Sequence, residues 1–207
     1  MATRISPCRL LPDLRRCSRG ATAVEFALVI TPMVMLLLGS FDLAYQAYLR
    51  SVVQGALNDI SRTASLEAPE FNCESGTLTQ KVQCAIKRRS DIVARDATYD
   101  VEIRNYYDFS GVGRSEKLVT DYNRNGAYDT GDCFVDLNEN GRFDVDAGRL
   151  GVGGADDVAF YRVTVRMPRL FPVHQFLPVS PEYSIAGETA LRNQPYTRQR
   201  VPPTICR

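Results

Sequence analysis

Between Phe26 and Phe41 the chain runs sixteen residues without a charge (FALVITPMVMLLLGSF), with Glu25 and Asp42 at its two ends. Sixteen residues rise about 24 Å as an α-helix, short of the roughly 30 Å hydrocarbon core of a bilayer. Adding Ala21–Val24 lets the segment span, provided Glu25 is accommodated inside it. Pro32 is acceptable there, because neighbouring helices in a membrane can re-satisfy the carbonyl it frees. The charge distribution gives the run a direction. Arg4, Arg9, Arg15, Arg16 and Arg19 stand against Asp13 alone in the first 20 residues, so the overall +1 hides a head of +4 and a remainder of about −3. A basic head before an apolar stretch keeps the N-terminus in the cytoplasm and sends the downstream chain outward. With a net charge of +1, no nucleic-acid partner is expected.

A secretory signal has a similar apolar length. Against it, no small-x-small cleavage pair stands downstream: the nearest candidate, Tyr45-Gln46-Ala47, places a bulky residue where a small one is needed. Glu25 is the more informative residue. A carboxylate inside an apolar span costs roughly 2–3 kcal/mol on insertion scales unless it finds a partner. In a plain anchor it would snorkel to the interface. The text Arg19-Gly20-Ala21-Thr22-Ala23-Val24-Glu25-Phe26 offers another answer. A cut after Gly20 would make Ala21 the new amino terminus and Glu25 the fifth residue of the mature chain.

Basic leader, Gly at the cut, Glu at the fifth position and apolar helix together resemble the prepilin-peptidase site of type IV pilins and pseudopilins. The resemblance implies that Glu25 pairs with the terminal amine of a neighbouring subunit, two opposite charges satisfying each other in a low-dielectric bundle. RGATAVEFALVITPMVMLLLG further resembles the opening of TadE-like proteins of the tight-adherence (Tad/Flp) pilus system. Gly187-Glu188-Thr189-Ala190-Leu191-Arg192-Asn193-Gln194-Pro195-Tyr196 is similar to that family's closing strand and R-N-x-P-[FY] end. Together these matches cover about a third of the chain. They imply a minor pilin, processed by a prepilin peptidase, whose partners are other pilin subunits, the assembly platform with its motor ATPase, and the inner membrane. The implied location is a single pass of the inner membrane with the head periplasmic, or an extracellular pilus.

The expected fold is α+β, a long N-terminal transmembrane and spine helix followed by a small antiparallel-sheet head. The expected divisions are a cleaved cytoplasmic leader at 1–20, the helix at 21–66 and the head at 67–207, with an insert at 110–157. Tyr45, Leu49, Val52, Val53, Ala56, Ile60 and Ala64 recur at helical spacing, with Arg50, Gln54, Asn58 and Arg62 on other faces. Glu67-Ala68-Pro69 ends that helix. A shorter helix is expected from Leu78 to about Ala94, with Val82, Ile86 and Val93 inward. Strands are expected at Tyr99–Tyr107, Val158–Met167 and Glu182–Leu191 from their alternation. Phe171–Pro181, punctuated by proline, is expected as a connector pressed against the head.

Of six cysteines, Cys8 and Cys17 precede the membrane and would leave with the leader. Cys73, Cys84, Cys133 and Cys206 would face an oxidising compartment, where an even count favours two disulfides. Cys73–Cys84 is the local choice, and Cys133–Cys206 would then pin the acidic insert to the end of the chain. Zinc is disfavoured, with no C-x-x-C and His174 alone in an apolar connector.

The insert carries the chemistry. Asp121, Asn123, Asn125, Gly126, Tyr128 and Asp129 are repeated fifteen residues on by Asp136, Asn138, Asn140, Gly141, Phe143 and Asp144. Both copies read D-x-N-x-N-G-x-[YF]-D. Oxygens at positions 1, 3 and 5 converge on one cation, and glycine at 6 allows the turn. The carbonyl at 7 (Ala127, Arg142) and the carboxylate at 9 complete a calcium loop. An aromatic at position 8 can pair the loops back to back. Asp132 stands at position 12 of the first loop, where a closing carboxylate belongs. The second has Ala147 there, so either Asp146, Asp156 or Asp157 substitutes or the site is weak. From Asp121 to Asp157 nine acidic and three basic residues leave −6, which repels itself without a cation. One or two Ca²⁺ ions are expected. No amphipathic helices flank the loops, so this is not an EF-hand pair.

No G-x-S-x-G and no Cys/His pair is present, and Gly151–Gly154 lacks the strand–helix context of a phosphate loop. The chain is expected to be no enzyme. It reads as an assembly component, a minor pilin. The alternative is a non-pilin single-pass envelope protein whose calcium-stabilised head binds a ligand or adheres. The two differ on whether Gly20–Ala21 is cut.

Overall fold

The computed structural model describes residues 21–73 and 76–207. The expected leader, with Gly20, Cys8 and Cys17, lies outside the described residues. Helix α1 spans Ala21–Ala64 without a break at Pro32. The Thr31 hydroxyl, one residue before the proline, donates to the Ala27 carbonyl at 2.8 Å, and the Ser40 hydroxyl to Leu36 O at 2.7 Å. Small hydroxyls thus bond back into an apolar helix without presenting polarity outward.

The described residues pack as two compact units. One holds α1 through Tyr45 together with Leu170–Val179; the other is Gln46–Arg169 with Ser180–Arg207. In the first unit, Val24, Phe26, Leu28, Val29, Leu36 and Phe41 are all exposed, so the helix is apolar around its circumference and mostly uncovered. By length and composition it can cross a membrane, compatible with a single-pass anchor. Phe171 stacks on Phe41, ring centroids 6.2 Å apart, and a short 3₁₀ turn covers Pro172–Gln175. The connector expected against the head therefore clusters with the anchor part of α1. Phe176, Leu177 and Val179 are exposed along it, and apolar text of this kind finds its partner on an apolar helix.

In the second unit, α1 from Gln46 onward is amphipathic as its spacing demands. Leu49, Val53, Ala56, Leu57, Ile60 and Ala64 are buried. They meet an antiparallel sheet in the order β4-β1-β5-β6, built from Arg149–Leu150, Thr98–Tyr106, Val158–Pro168 and Glu182–Arg192. Strand β5 sits centrally and buries Val158, Tyr161, Val163, Val165 and Met167. On the opposite face Arg162 lies between Glu102 and Glu188 in register, with a 2.7 Å bond to Glu188. Gly187 lets the helix approach β6: an added Cβ would meet Gln54 Oε1 at 3.2 Å and Val53 Cγ1 at 3.5 Å.

Helix α2 covers Leu78–Ser90 and opens with a capping box between Thr77 and Gln80. It stops four residues short of the Ala94 its apolar spacing suggested. Past Ser90 the chain tightens, Val93 N and Ala94 N both donating to Ser90 O, and Asp96 takes a left-handed φ of 58° that ends the helix path. Val93 is only half-buried, while Ala94 is buried in its stead. The insert, expected as loops, has a sheet of its own. Its strands β2 (Lys117–Thr120), β3 (Cys133–Val135) and β7 (Thr204–Cys206) run in the order β2-β3-β7. Disulfides join Cys73 to Cys84 and Cys133 to Cys206, the latter pair opposite each other in the β3–β7 register.

Candidate cation-loop pair

Both D-x-N-x-N-G segments fold alike, the first-position aspartate of each accepting from the glycine N–H and from one further backbone N–H that differs between the loops. In the first loop, Asp121 accepts from Arg124 N at 2.6 Å and from Gly126 N at 2.8 Å. In the second, Asp136 accepts from Asn140 N at 3.1 Å and Gly141 N at 2.7 Å. The fourth residues, Arg124 and Glu139, have φ of 60° and 59°; the glycines, Gly126 and Gly141, 78° and 77°. A left-handed φ at the sixth position is why glycine stands there twice.

The asparagines converge on the ninth residue. Nδ2 of Asn123 and of Asn125 lie 2.6 and 2.7 Å from Asp129 Oδ2. Asn138 and Asn140 reach Asp144 Oδ2 at 2.7 and 2.5 Å. Each Oδ1 accepts a backbone N–H two residues on, Asn125 from Ala127 N at 2.7 Å and Asn140 from Arg142 N at 2.8 Å. In each loop, positions 3, 5 and 9 thus meet at one point. Among the described residues no three His, Cys, Asp or Glu side chains group as a metal site; at each shared point one carboxylate oxygen meets two carboxamide nitrogens.

The closing carboxylates are the main surprise. Asp132 accepts from Tyr122 N at 3.0 Å and Asp129 N at 2.9 Å, tying the second and ninth residues of loop one. The equivalent bonds in loop two come from Glu116, which accepts from Leu137 N at 2.8 Å and Asp144 N at 3.1 Å. The expected substitutes make other contacts here. Asp146 pairs with Arg104 at 3.0 Å, Asp156 stands 3.9 Å from Arg192, and Asp157 accepts from Gly154 N at 2.9 Å. Glu116 precedes its loop by twenty positions, so no linear motif points to it. It is buried at 2% exposure. Burial pushes its carboxyl above the ordinary 4.5, against the lowering effect of the N–H groups of Asp144, Asn138 and Leu137 and with help from the charge of Asp136.

The two loops are joined into one body. Tyr128 and Phe143, both at position 8, stack at 4.5 Å with a 6° interplanar angle. Fully buried Phe134 of β3 meets both edge-on, at 5.4 and 5.6 Å. The chain's end clasps the pair: Asp136 N donates to Pro203 O, Gly131 N to Arg207 O, and Arg207 Nη1 to Gly141 O. Asn193, from the R-N-x-P segment, holds the Gly-rich turn by donating to Val152 O and Gly154 O, each at 2.8 Å. His174 is exposed.

A family model described as TadE-like protein matches residues 20–62, which takes in the anchor part of α1 and almost all of its amphipathic part. No curated protein and no solved structure matches the chain.

Proposed function

Taking as premise that the chain is TadE-like over residues 20–62 and so Tad pilus-associated, we propose that it is a minor pilin, an assembly part and not an enzyme. The observation that carries this reading is the first half of α1, apolar on every side, uncovered and interrupted by the single carboxylate of Glu25. A lone anchor gains nothing from a charge at that depth. A filament does, because cleavage after Gly20 by the prepilin peptidase frees the Ala21 amine, and a neighbour's Glu25 can pair with it. The platform and motor would extract the subunit from the inner membrane, the head facing the periplasm. N-terminal sequencing of the accumulated protein should return Ala21. Finding Met1 or Ala2 there would leave the alternative, an uncleaved envelope protein with the same head.

The insert is read as a pair of calcium loops, supported by two closely similar bonding patterns in which a further carboxylate ties the second and ninth residues. Asp121, Asn123, Asn125, the Ala127 carbonyl, Asp129 and Asp132 would hold one ion. Asp136, Asn138, Asn140, the Arg142 carbonyl, Asp144 and Glu116 would hold the other. Swapping the two ends of each carboxamide turns oxygen toward the shared point, at the expense of one backbone bond per asparagine. Each ion would offset part of the −6 of the segment and relieve the burial cost of Glu116. Calorimetry on the full chain in detergent tests this: heat of binding should saturate with one or two equivalents of calcium. A flat titration at millimolar calcium would reduce the loops to polar turns.

A further inference from the structure

Each loop contains an Asn-Gly pair, Asn125-Gly126 and Asn140-Gly141, the dipeptide in which a backbone nitrogen can most easily attack the preceding side chain. Glycine has no Cβ to obstruct that approach. In both loops the attacking nitrogen is occupied: Gly126 N donates to Asp121 Oδ2 at 2.8 Å, and Gly141 N to Asp136 Oδ2 at 2.7 Å. The carboxamide under attack is also held at both ends. Asn125 donates to Asp129 at 2.7 Å and accepts from Ala127 N at 2.7 Å; Asn140 donates to Asp144 at 2.5 Å and accepts from Arg142 N at 2.8 Å.

We propose that Asn125 and Asn140 are deamidation sites whose reaction the folded loops hold back, with the Asp121 and Asp136 carboxylates as guards. In the reaction the glycine nitrogen loses its proton to solvent base and bonds to the asparagine Cγ. The Cγ–Nδ2 bond breaks and ammonia leaves, giving a cyclic imide. Water then opens the ring to aspartate or isoaspartate. A carboxylate is far too weak a base to take an amide proton. Its negative charge raises the cost of any anionic nitrogen beside it, and its hydrogen bond must be given up before the N–H proton can leave. The guard is unequal. Residues 122–127 are all exposed and Asp121 is half-buried, whereas Asp136 is 1% exposed and Leu137 and Asn138 are half-buried. Asn125 is therefore the first to convert. The product places a fixed negative charge, or a backbone lengthened by one carbon, at the fifth loop position, a record of how often the loop has opened.

The test uses the full chain in detergent, with a chelator, incubated in mildly alkaline buffer and read by peptide mapping. It does not draw on the cation reading and stands whether or not calcium binds. Conversion appears as a gain of about 1 Da as amide becomes acid. In the native protein both sites should convert several-fold more slowly than in the same chain unfolded in urea, Asn125 ahead of Asn140. Asp121→Ala should accelerate Asn125 several-fold and leave Asn140 unchanged. Equal rates in native and unfolded chain, or no acceleration by Asp121→Ala, overturn the proposal, as does slowing, which would make Asp121 a promoter. If Asp121→Ala accelerates both sites, the loop pair has loosened as a whole and Asp121→Asn decides. It keeps an oxygen acceptor without the charge, so faster Asn125 with Asn140 unchanged supports the guard, and an unchanged Asn125 overturns it.

Discussion

Glu116 shows how one side chain can matter more than its sequence context suggests. It ties the second and ninth residues of the second loop as Asp132 ties those of the first, yet it arrives from the far side of a strand and a whole loop. If both loops bind calcium, Glu116→Gln should therefore remove one equivalent in calorimetry and leave the first loop's intact, while Asp146→Asn should leave both. The pH dependence has a definite sign. Because Glu116 is raised on folding, its protonation favours the folded state: that contribution is full below the ordinary glutamate value and lost as pH rises through the raised one. In chelator, the stability of the wild type relative to Glu116→Gln should increase as pH falls, measured by denaturant unfolding at a series of pH values. Leu57 makes a complementary point. It is fully buried on the spine helix although the apolar spacing drew attention to Val53, Ala56 and Ile60 around it. Leu57→Ala should cost about 2–5 kcal/mol, the usual range for a buried leucine, in the same assay.

At the scale of elements, local chemistry set most of the boundaries. The alternation of β1, β5 and β6 and the Thr77–Gln80 capping box are readable along the chain, and their strands and helix start within a residue of where pattern puts them. What escaped was short or non-local. Strands β2, β3 and β7 have four, three and three residues, too few for a period to declare itself. β7 exists because β3 offers it an edge and Cys133–Cys206 holds it there. Replacing both of these cysteines with serine should cost about 4 kcal/mol by loop-closure entropy, and replacing Cys73 and Cys84 about 3 kcal/mol. Thermal unfolding with and without reductant measures each. If the chain's end clasps the loops, the Cys133/Cys206 variant should also lose calcium affinity, and the Cys73/Cys84 variant should not.

For the whole molecule, processing is the decisive observable. Intact mass of membrane-purified protein should correspond to a chain beginning at Ala21, with Gly20→Glu abolishing the cut. Glu25→Ala should permit cleavage yet impair incorporation into filaments, scored by recovery of the protein in sheared pili. If calcium binds the folded head only, the melting temperature should rise with its concentration, by the mass-action term of about 2.7 kcal/mol at a hundredfold excess over Kd. A head that melts identically with calcium or chelator would separate the pilin reading, which survives, from the calcium reading, which does not.

The sequence by itself determined the long apolar helix, its amphipathic continuation, the three long strands, the repeated loop and the local Cys73–Cys84 disulfide. Each of these rests on periodicity, spacing or compartment, quantities that belong to neighbouring residues or to simple counting. Tertiary structure alone decided that Glu116 closes the second loop and that Asp146 turns instead to Arg104. It also decided that Asn193 props the Gly-rich turn and that the last strand, Thr204–Cys206, completes a sheet whose first strand starts at Lys117. The reason is physical. A buried carboxylate or amide takes whichever unpaired backbone donors or acceptors the packed chain brings within about 3 Å, and that proximity is set by the fold.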